Sequence, residues 1–177
     1  NPAVPLVEDA QKRPLTAYGA DKLGCEQHAR VAGQVHDVPT TGFRFFNIYG
    51  PRQDPGSPYS GVISIFADRL SAGRTATVHG DGGQMRDFVY VGDCVRFVMA
   101  GMEKATTAAE VYNVCTGRPS SLLDLIVALS DAAGRDLAVE FGPPRIGDIR
   151  DSFGDASKTT AAFGMTVDTS LRDGLAK

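Results

Sequence analysis

The sequence predicts an α/β fold, and two observations carry that expectation. Segments with apolar residues at helical spacing alternate with short runs of β-branched and aromatic residues. The 177 residues are 42% hydrophobic, which suits one globular domain, or one and a small lobe, with enough apolar material for a core.

Residues 1–14 hold Pro2, Pro5 and Pro14 among mixed charges and read as an irregular loop. A helix is predicted from 16 to about 35, where Ala, Leu and Val recur on one face and Thr16 is available as a cap. Asp37-Val38-Pro39 stops it, and residues 40–46 read as a strand. A long loop is expected from 47 to 61, which carries Gly50, Pro51, Pro55, Gly56, Pro58 and Gly61. So long a loop inside a compact domain is usually functional or disordered. A helix is predicted over 62–72, a strand over 75–79, a turn at Asp81-Gly82-Gly83 and a strand over 85–91. Asp93 is expected to cap a helix to about residue 104, followed by a strand over 110–114 and an amphipathic helix over 120–133. Leu122, Leu123, Leu125, Ile126 and Leu129 form its core stripe. A short strand over 137–141, the Pro143-Pro144 segment and two short helices complete the chain.

The formal net charge is -3, and no Lys/Arg run suggests a nucleic-acid or phospholipid surface. An anionic ligand would need locally placed arginines. Cys25, Cys94 and Cys115 are odd in number, far apart and without a Cys-x-x-Cys, so neither a disulfide framework nor a zinc site is indicated. Cys25 and Cys115 sit in apolar contexts and read as small core residues. His28, His36 and His79 have no metal-ligand spacing, so no metal is expected. No stretch is long and apolar enough to span a bilayer and the opening residues do not read as a signal peptide, which points to a reduced, cytoplasmic setting. An Asn1-Pro2 start and a last residue, Lys177, inside a predicted helix suggest a piece of a longer chain.

Tyr18 and Lys22 are four apart and share a helix face. A tyrosine, with an ordinary pKa of about 10, transfers protons at neutral pH only if its phenolate is favoured. A neighbouring ammonium does this, which makes Tyr-x-x-x-Lys an acid/base unit for a sugar hydroxyl. Alone the pair is a weak motif, because an exposed Tyr resting on a Lys stem looks the same.

The run Pro14-Leu15-Thr16-Ala17-Tyr18-Gly19-Ala20-Asp21-Lys22 resembles the active-site helix of the extended short-chain dehydrogenase/reductase family, in its NAD-dependent epimerase/dehydratase group. The UDP-glucose 4-epimerase group is the nearest in pattern. Further blocks agree in the family's order: the run 43–53 with Phe46-Asn47, the run 79–91 with Gln84-Met85-Arg86-Asp87, Tyr112-Asn113-Val114 before Gly117, and Arg145-Ile146-Gly147-Asp148. Two departures stand out. No Gly-x-x-Gly-x-x-Gly dinucleotide fingerprint occurs, and the catalytic Ser or Thr that the resemblance implies is expected just upstream of the Asn1-Pro2 opening.

The resemblance implies the C-terminal part of a Rossmann-type, doubly wound fold plus a smaller α/β substrate lobe, with the N-terminal half of the Rossmann domain absent. Residues 1–60 would be the remainder of the Rossmann domain with its active-site helix. Residues 61–177 would be mainly the substrate lobe, with 93–117 packing back on the Rossmann domain. Tyr18 would be the acid/base, and Lys22 would bind the nicotinamide ribose of NAD and favour the phenolate. Phe46 would lie near the nicotinamide, or pack a core at a strand end, or both. Asn47 would touch the sugar diphosphate; a turn-former beside Gly50 is the alternative. Arg86 and Arg145 would grip the diphosphate, unless they pair with Asp87, Asp148 or Asp151, and Arg150 competes with Arg145. Asp148 would meet a ribose hydroxyl, or is an ordinary loop carboxylate. Val62, Ile63, Thr77 and His79 resemble positions lining a uridine pocket, although a lone strand-end histidine is often plain surface. Arg52 reaches phosphate or pairs with Asp54.

The implied activity is 4-epimerisation of a UDP-hexose through a transient 4-keto sugar, with this chain inactive alone. A dehydratase or reductase of the same family, and a non-catalytic nucleotide-binding relative, remain open. A homodimer through the Tyr18 helix is the expected assembly, and Ala29, Ala32 and Val35 would permit either that packing or an internal core.

Overall fold

The computed structural model describes residues 3–57, 60–145 and 147–177. In chain order the elements are α1 (Ala17–His36), β1 (Thr41–Phe45), β2 (Asn47–Tyr49), α2 (Val62–Ser71), β3 (Ala76–His79), β4 (Met85–Arg86), β5 (Phe88–Tyr90) and α3 (Val91–Glu103). There follow β6 (Glu110–Val114), β7 (Ser120–Ser121), α4 (Leu122–Ala133), β8 (Val139–Gly142), β9 (Asp151–Ser152), α5 (Ser157–Phe163) and α6 (Leu171–Leu175). This is an α/β chain, as predicted.

Helix α1 starts where its cap predicts: the Thr16 hydroxyl accepts from the Gly19 N–H at 3.1 Å. It ends at Asp37, whose φ of 52° is a left-handed conformation that aspartate tolerates. Gly33 is its one buried residue. A Cβ there would lie 2.1 Å from the Thr107 carbonyl oxygen, so only glycine lets the helix come this near.

Strand β1 pairs in parallel with β6, from Thr41 opposite Glu110 to Phe45 opposite Val114. The chain then changes partner. The Phe46 N–H still donates to Val114 O (3.1 Å), but the Asn47 N–H donates to Asp87 O (2.9 Å). Strand β2 thereafter pairs in parallel with β5. The irregular stretch expected from Asn47 therefore begins three residues later. Its first residues are extended because β5 offers a free edge there.

The single strand expected over 85–91 is two. Strand β4 pairs with β7 (antiparallel) and β9 (parallel), whereas β5 pairs with β2. Asp87 stands at the break, fully buried. Its N–H donates to Ser152 O (3.1 Å), and its carboxylate accepts from Thr116 N (2.8 Å), Thr116 Oγ1 (2.7 Å) and Gly117 N (3.0 Å). A buried carboxylate is tolerable only with such donors.

Helix α3 begins at Val91, earlier than the cap expected at Asp93. Asp93 lies in the first turn, buried, with Oδ2 accepting from the Thr169 N–H at 3.1 Å. An acidic group there also meets the positive end of the helix dipole. Helix α4 starts at Leu122 because Ser121 and Asp124 form a capping box, leaving Ser120–Ser121 to pair with β4. Leu125 and Leu129 of its stripe are buried, whereas Leu123 is 43% exposed, off the 122/125/126/129 face. Leu123 covers Gly82 instead, whose φ of 74° and crowded Cβ position both call for glycine.

Two apolar clusters form the core. One joins Tyr49, Ile63, Phe66, Leu70, Val78, Phe88, Leu125 and Leu129. The other joins Val89, Cys94, Phe97, Val114 and Val167, with Phe43, Phe45, Phe46 and Phe163 against it. Each fully buried side chain of this size contributes about 1.5–3 kcal/mol.

Asp87→Ala removes three charge-assisted contacts and leaves the turn at Thr116-Gly117 without its acceptor. We expect a loss of about 3 kcal/mol, read as a lower urea midpoint at unchanged slope. A midpoint within error of the parent would contradict this role.

Candidate active site

Tyr18 occupies the first turn of α1 and is 61% exposed, and Lys22 follows one turn later. The Lys22 Nζ lies 5.4 Å from the Tyr18 ring centroid, within cation–π range. Both line a groove of about 770 Å³ between α1 and β1. Phe46 and Asn47, at the change of strand partner, line it too, as do Cys25, Glu26 and Arg44. Four of the sequence-predicted residues, Tyr18, Lys22, Phe46 and Asn47, therefore meet at one cavity. Cys25 is exposed here and not a core residue, because the apolar face it was assigned to looks onto the groove. Cys94 and Cys115 are buried, and burial pushes both thiols up to about 12, so neither is a ready nucleophile.

Arg86, Asp148 and Arg145 gather elsewhere. Arg86 Nη2 is 2.9 Å from Asp148 Oδ1, and Gln84 Nε2 donates to Asp148 Oδ2 at 3.2 Å. Of the carboxylates that the sequence offered Arg86, Asp148 is the partner. Gln84, Asp148 and Arg145 line a cavity of about 480 Å³ with Gly80, Asp81 and Arg150. Arg150 is committed to Asp81 at 2.6 Å, and together with the Gly83 N–H it holds the Asp81 carboxyl down at about 2. The Arg145 guanidinium makes no ion pair among the described residues.

The four positions likened to a uridine pocket are not gathered at either cavity. Val62 and Ile63 pack into the core from α2, Ile63 at 6% exposure. Thr77 Oγ1 donates to Glu140 Oε1 (2.9 Å), and His79 Nδ1 lies 3.2 Å from Pro143 O. Arg52 adopts a φ of 71° and lines a further cavity with Tyr49 and Lys177.

Sequence reasoning passed over Glu26, Arg44, Glu8 and Gln84. Arg44 Nε and Nη2 each donate at 2.7 Å to the two oxygens of Glu26, and Nη1 donates to Glu8 O at 2.9 Å. The Arg44 hydrogen bonds hold the Glu26 carboxyl below its ordinary range. Glu8 is buried, its Oε1 accepting from the Asn113 N–H at 2.7 Å. A signal existed: Arg44 stands in the apolar run Phe43-Arg44-Phe45-Phe46, where a charge needs a partner.

For a dinucleotide, the donor set fits one end. Tyr18 and Lys22 offer a hydroxyl and an ammonium to ribose hydroxyls, and Phe46 offers an apolar wall. No glycine-rich loop for a pyrophosphate occurs in the sequence. Among the described residues, no group of three or more His, Cys, Asp or Glu could hold a metal, and no helix is long and apolar enough to cross a membrane.

The profile of the NAD dependent epimerase/dehydratase family matches residues 1–115. A UDP-glucose 4-epimerase of Mycolicibacterium smegmatis is 37% identical over 177 residues, covering 99% of this chain and 56% of that protein. A UDP-glucose 4-epimerase from Thermotoga maritima, solved with UDP-glucose, is 35% identical with a TM-score of 0.86, covering 93% of this chain and 52% of that one. A UDP-glucuronic acid 4-epimerase from Bacillus cereus, solved with UDP-glucuronic acid and NAD, is 30% identical with a TM-score of 0.87, covering 98% and 54%. The chain thus spans about half the length of these relatives. With a profile match over most of its residues and Tyr18, Lys22, Phe46 and Asn47 meeting at one groove, this chain belongs to the NAD dependent epimerase/dehydratase family.

Proposed function

We propose that this chain supplies the proton-transfer and substrate-gripping part of a nucleotide-sugar 4-epimerase that interconverts UDP-glucose and UDP-galactose. The observation that carries the reading is the Tyr18–Lys22 contact in a groove shared with Phe46 and Asn47. The three relatives described above are named as 4-epimerases of UDP-sugars, which supports this reading over dehydration or reduction.

An ammonium beside a phenol stabilises the phenolate. Tyr18 takes the proton of the sugar's 4-hydroxyl at its phenolic oxygen, with Lys22 held alongside. Bound NAD supplies the reversible hydride acceptor. Tyr18 holds the proton while the 4-keto sugar turns over in the groove, then returns it to the 4-oxygen when C4 of the sugar presents its other face, where the hydride taken earlier would be given back. Lys22 and Phe46 would hold the nicotinamide-ribose end of the cofactor. Arg86 and Arg145 grip the diphosphate and Asn47 touches it, while Asp148 exchanges its contact with Arg86 for a ribose hydroxyl. Val62, Ile63, Thr77 and His79 would border the uracil. Firm nucleotide grip with a loosely held sugar is what a turning intermediate requires.

The chain turns over only in company with a glycine-rich dinucleotide-binding unit, which would meet Tyr18 across the groove and the unpaired edge of β1. Residues 61–177 act mainly as the substrate lobe. A second copy packs on α1, whose Val31 and Val35 are 52% and 65% exposed. The thiols, none in a disulfide, support a reducing cytoplasmic setting.

In the NAD-loaded enzyme carrying this chain, Tyr18→Phe should cut turnover roughly 10³-fold while UDP affinity by calorimetry stays unchanged. Substantial remaining turnover would remove Tyr18 from the mechanism. Separately, Val31→Glu with Val35→Glu should convert a dimer to a monomer in sedimentation velocity; an unaltered sedimentation coefficient would reject α1 as the interface.

A further inference from the structure

Helix α1 carries Tyr18, Lys22 and Glu26 at successive four-residue steps, so all three share one face and line one groove. Glu26 is therefore a ready partner for the Lys22 ammonium. A helix pair of this spacing forms easily when nothing competes. Here something does. Arg44 meets Glu26 with a two-pronged fork, 2.7 Å to each oxygen. Its third nitrogen donates to Glu8 O at 2.9 Å, and Glu8 in turn holds the Asn113 N–H of β6. Glu26 and Arg44 are both largely shielded, with side chains 21% and 27% exposed.

We propose that Arg44 is a positioning residue for the Tyr18–Lys22 pair: by engaging both oxygens of Glu26, it keeps the Lys22 ammonium on Tyr18. The inference rests on the acid/base reading of Tyr18 given above. A lysine drawn to Glu26 would leave the tyrosine without its cation, and an unpaired carboxylate in the groove would disfavour the phenolate further.

The charges around this arrangement come from three elements. Glu26 feels Arg44 foremost, then Lys12 of the N-terminal segment and Arg30 of its own helix. Arg44 feels Glu26 foremost, then Glu8 and Asp9. The ionisable groups that line the groove with Tyr18 are Lys22, Cys25, Glu26 and Arg44. Asp21 adjoins them on α1 and is exposed. Arg44 also ties down the first half of α1. Gly33, the helix's one buried residue, lies seven positions beyond Glu26.

A mere tie and an electrostatic sorter make different demands. If the pair only fastens α1, then Arg44→Gln, Glu26→Gln and the double variant should be equally impaired, with an unmoved pH profile. If Arg44 sorts the charges, only Arg44→Gln leaves an unpaired carboxylate beside Lys22. In the NAD-loaded enzyme, its low-pH limb of kcat should then move up by about one pH unit, with roughly tenfold less turnover on that limb and an unchanged KM for the UDP-sugar. Adding Glu26→Gln should return the limb to the parent position. Glu26→Gln alone should not move the limb upward.

An unmoved limb in Arg44→Gln, or one that the double variant fails to restore, overturns the proposal. Should Arg44→Gln not fold by thermal melt, Arg44→Lys carries the test. It keeps the charge and loses the fork, and its limb should move the same way by less; no movement overturns the proposal equally. Tyr18→Phe is measured alongside. If it retains turnover, the acid/base reading falls and this inference with it. If it is inactive while Arg44→Gln shows no shift, only the role of Arg44 falls.

Discussion

Asp87 is buried without exposure and makes contacts in three directions. Its carboxylate holds the Thr116-Gly117 turn, its N–H meets Ser152, and its carbonyl receives the N–H of Asn47. Removing a carboxylate from water costs several kcal/mol unless donors replace the water, so the three elements that supply contacts cannot drift apart cheaply. The residue just before it, Arg86, pairs with Asp148 of the smaller cavity, and the residue just after it, Phe88, enters the core. The residue bonded to its carbonyl, Asn47, lines the other cavity. One buried residue thereby sets the relative placement of the Arg86–Asp148 pair and the groove lined by Tyr18 and Lys22.

Helix α1 is held differently. It meets the rest of the chain at a close backbone contact, Gly33 against Thr107, and at a forked ion pair, Glu26 to Arg44. Little apolar burial reinforces these, since most of its side chains are half-buried or exposed. The groove beside it has a volume of about 770 Å³, and among the described strands β1 pairs with β6 alone. Under the acid/base role proposed for Tyr18, the tyrosine needs an ammonium within reach, and Lys22 lies 5.4 Å from its ring.

Charge is handled locally in a chain that is acidic overall. At the cavity lined by Asp81, Arg145 and Asp148, Arg86 is matched by Asp148 and Arg150 by Asp81, and Arg145 has no ion pair among the described residues. The Arg150–Asp81 pair is exposed and screened by solvent, so it adds little, whereas Arg86 is more shielded and also donates to Met85 O and Arg150 O. The Glu26–Arg44 pair is the contrasting case. Its two-pronged geometry and a third donor on Glu8 make exchange with Lys22 unfavourable.

Local chemistry was legible in the residues themselves. Thr16 capped the first helix, Gly82 and Gly83 marked the turn between β3 and β4, and Tyr18, Lys22, Phe46 and Asn47 stood out by spacing and by the order of the blocks around them. These features depend on neighbours within a few positions, which periodicity and turn chemistry report. What tertiary structure decided has long-range causes. Residues 85–91 hold two strands because Asp87 gives its N–H to Ser152 and its carbonyl to Asn47, both far away in sequence, so the chain changes partner there. Asn47 begins a strand because β5 offers an edge, and Asp93 turns inward because Thr169 packs over it. Arg86 pairs with Asp148 rather than with its sequence neighbour Asp87, since a strand sends adjacent side chains to opposite faces. Glu26 and Arg44 are eighteen positions apart, and only the packing of a helix on a strand makes them one unit.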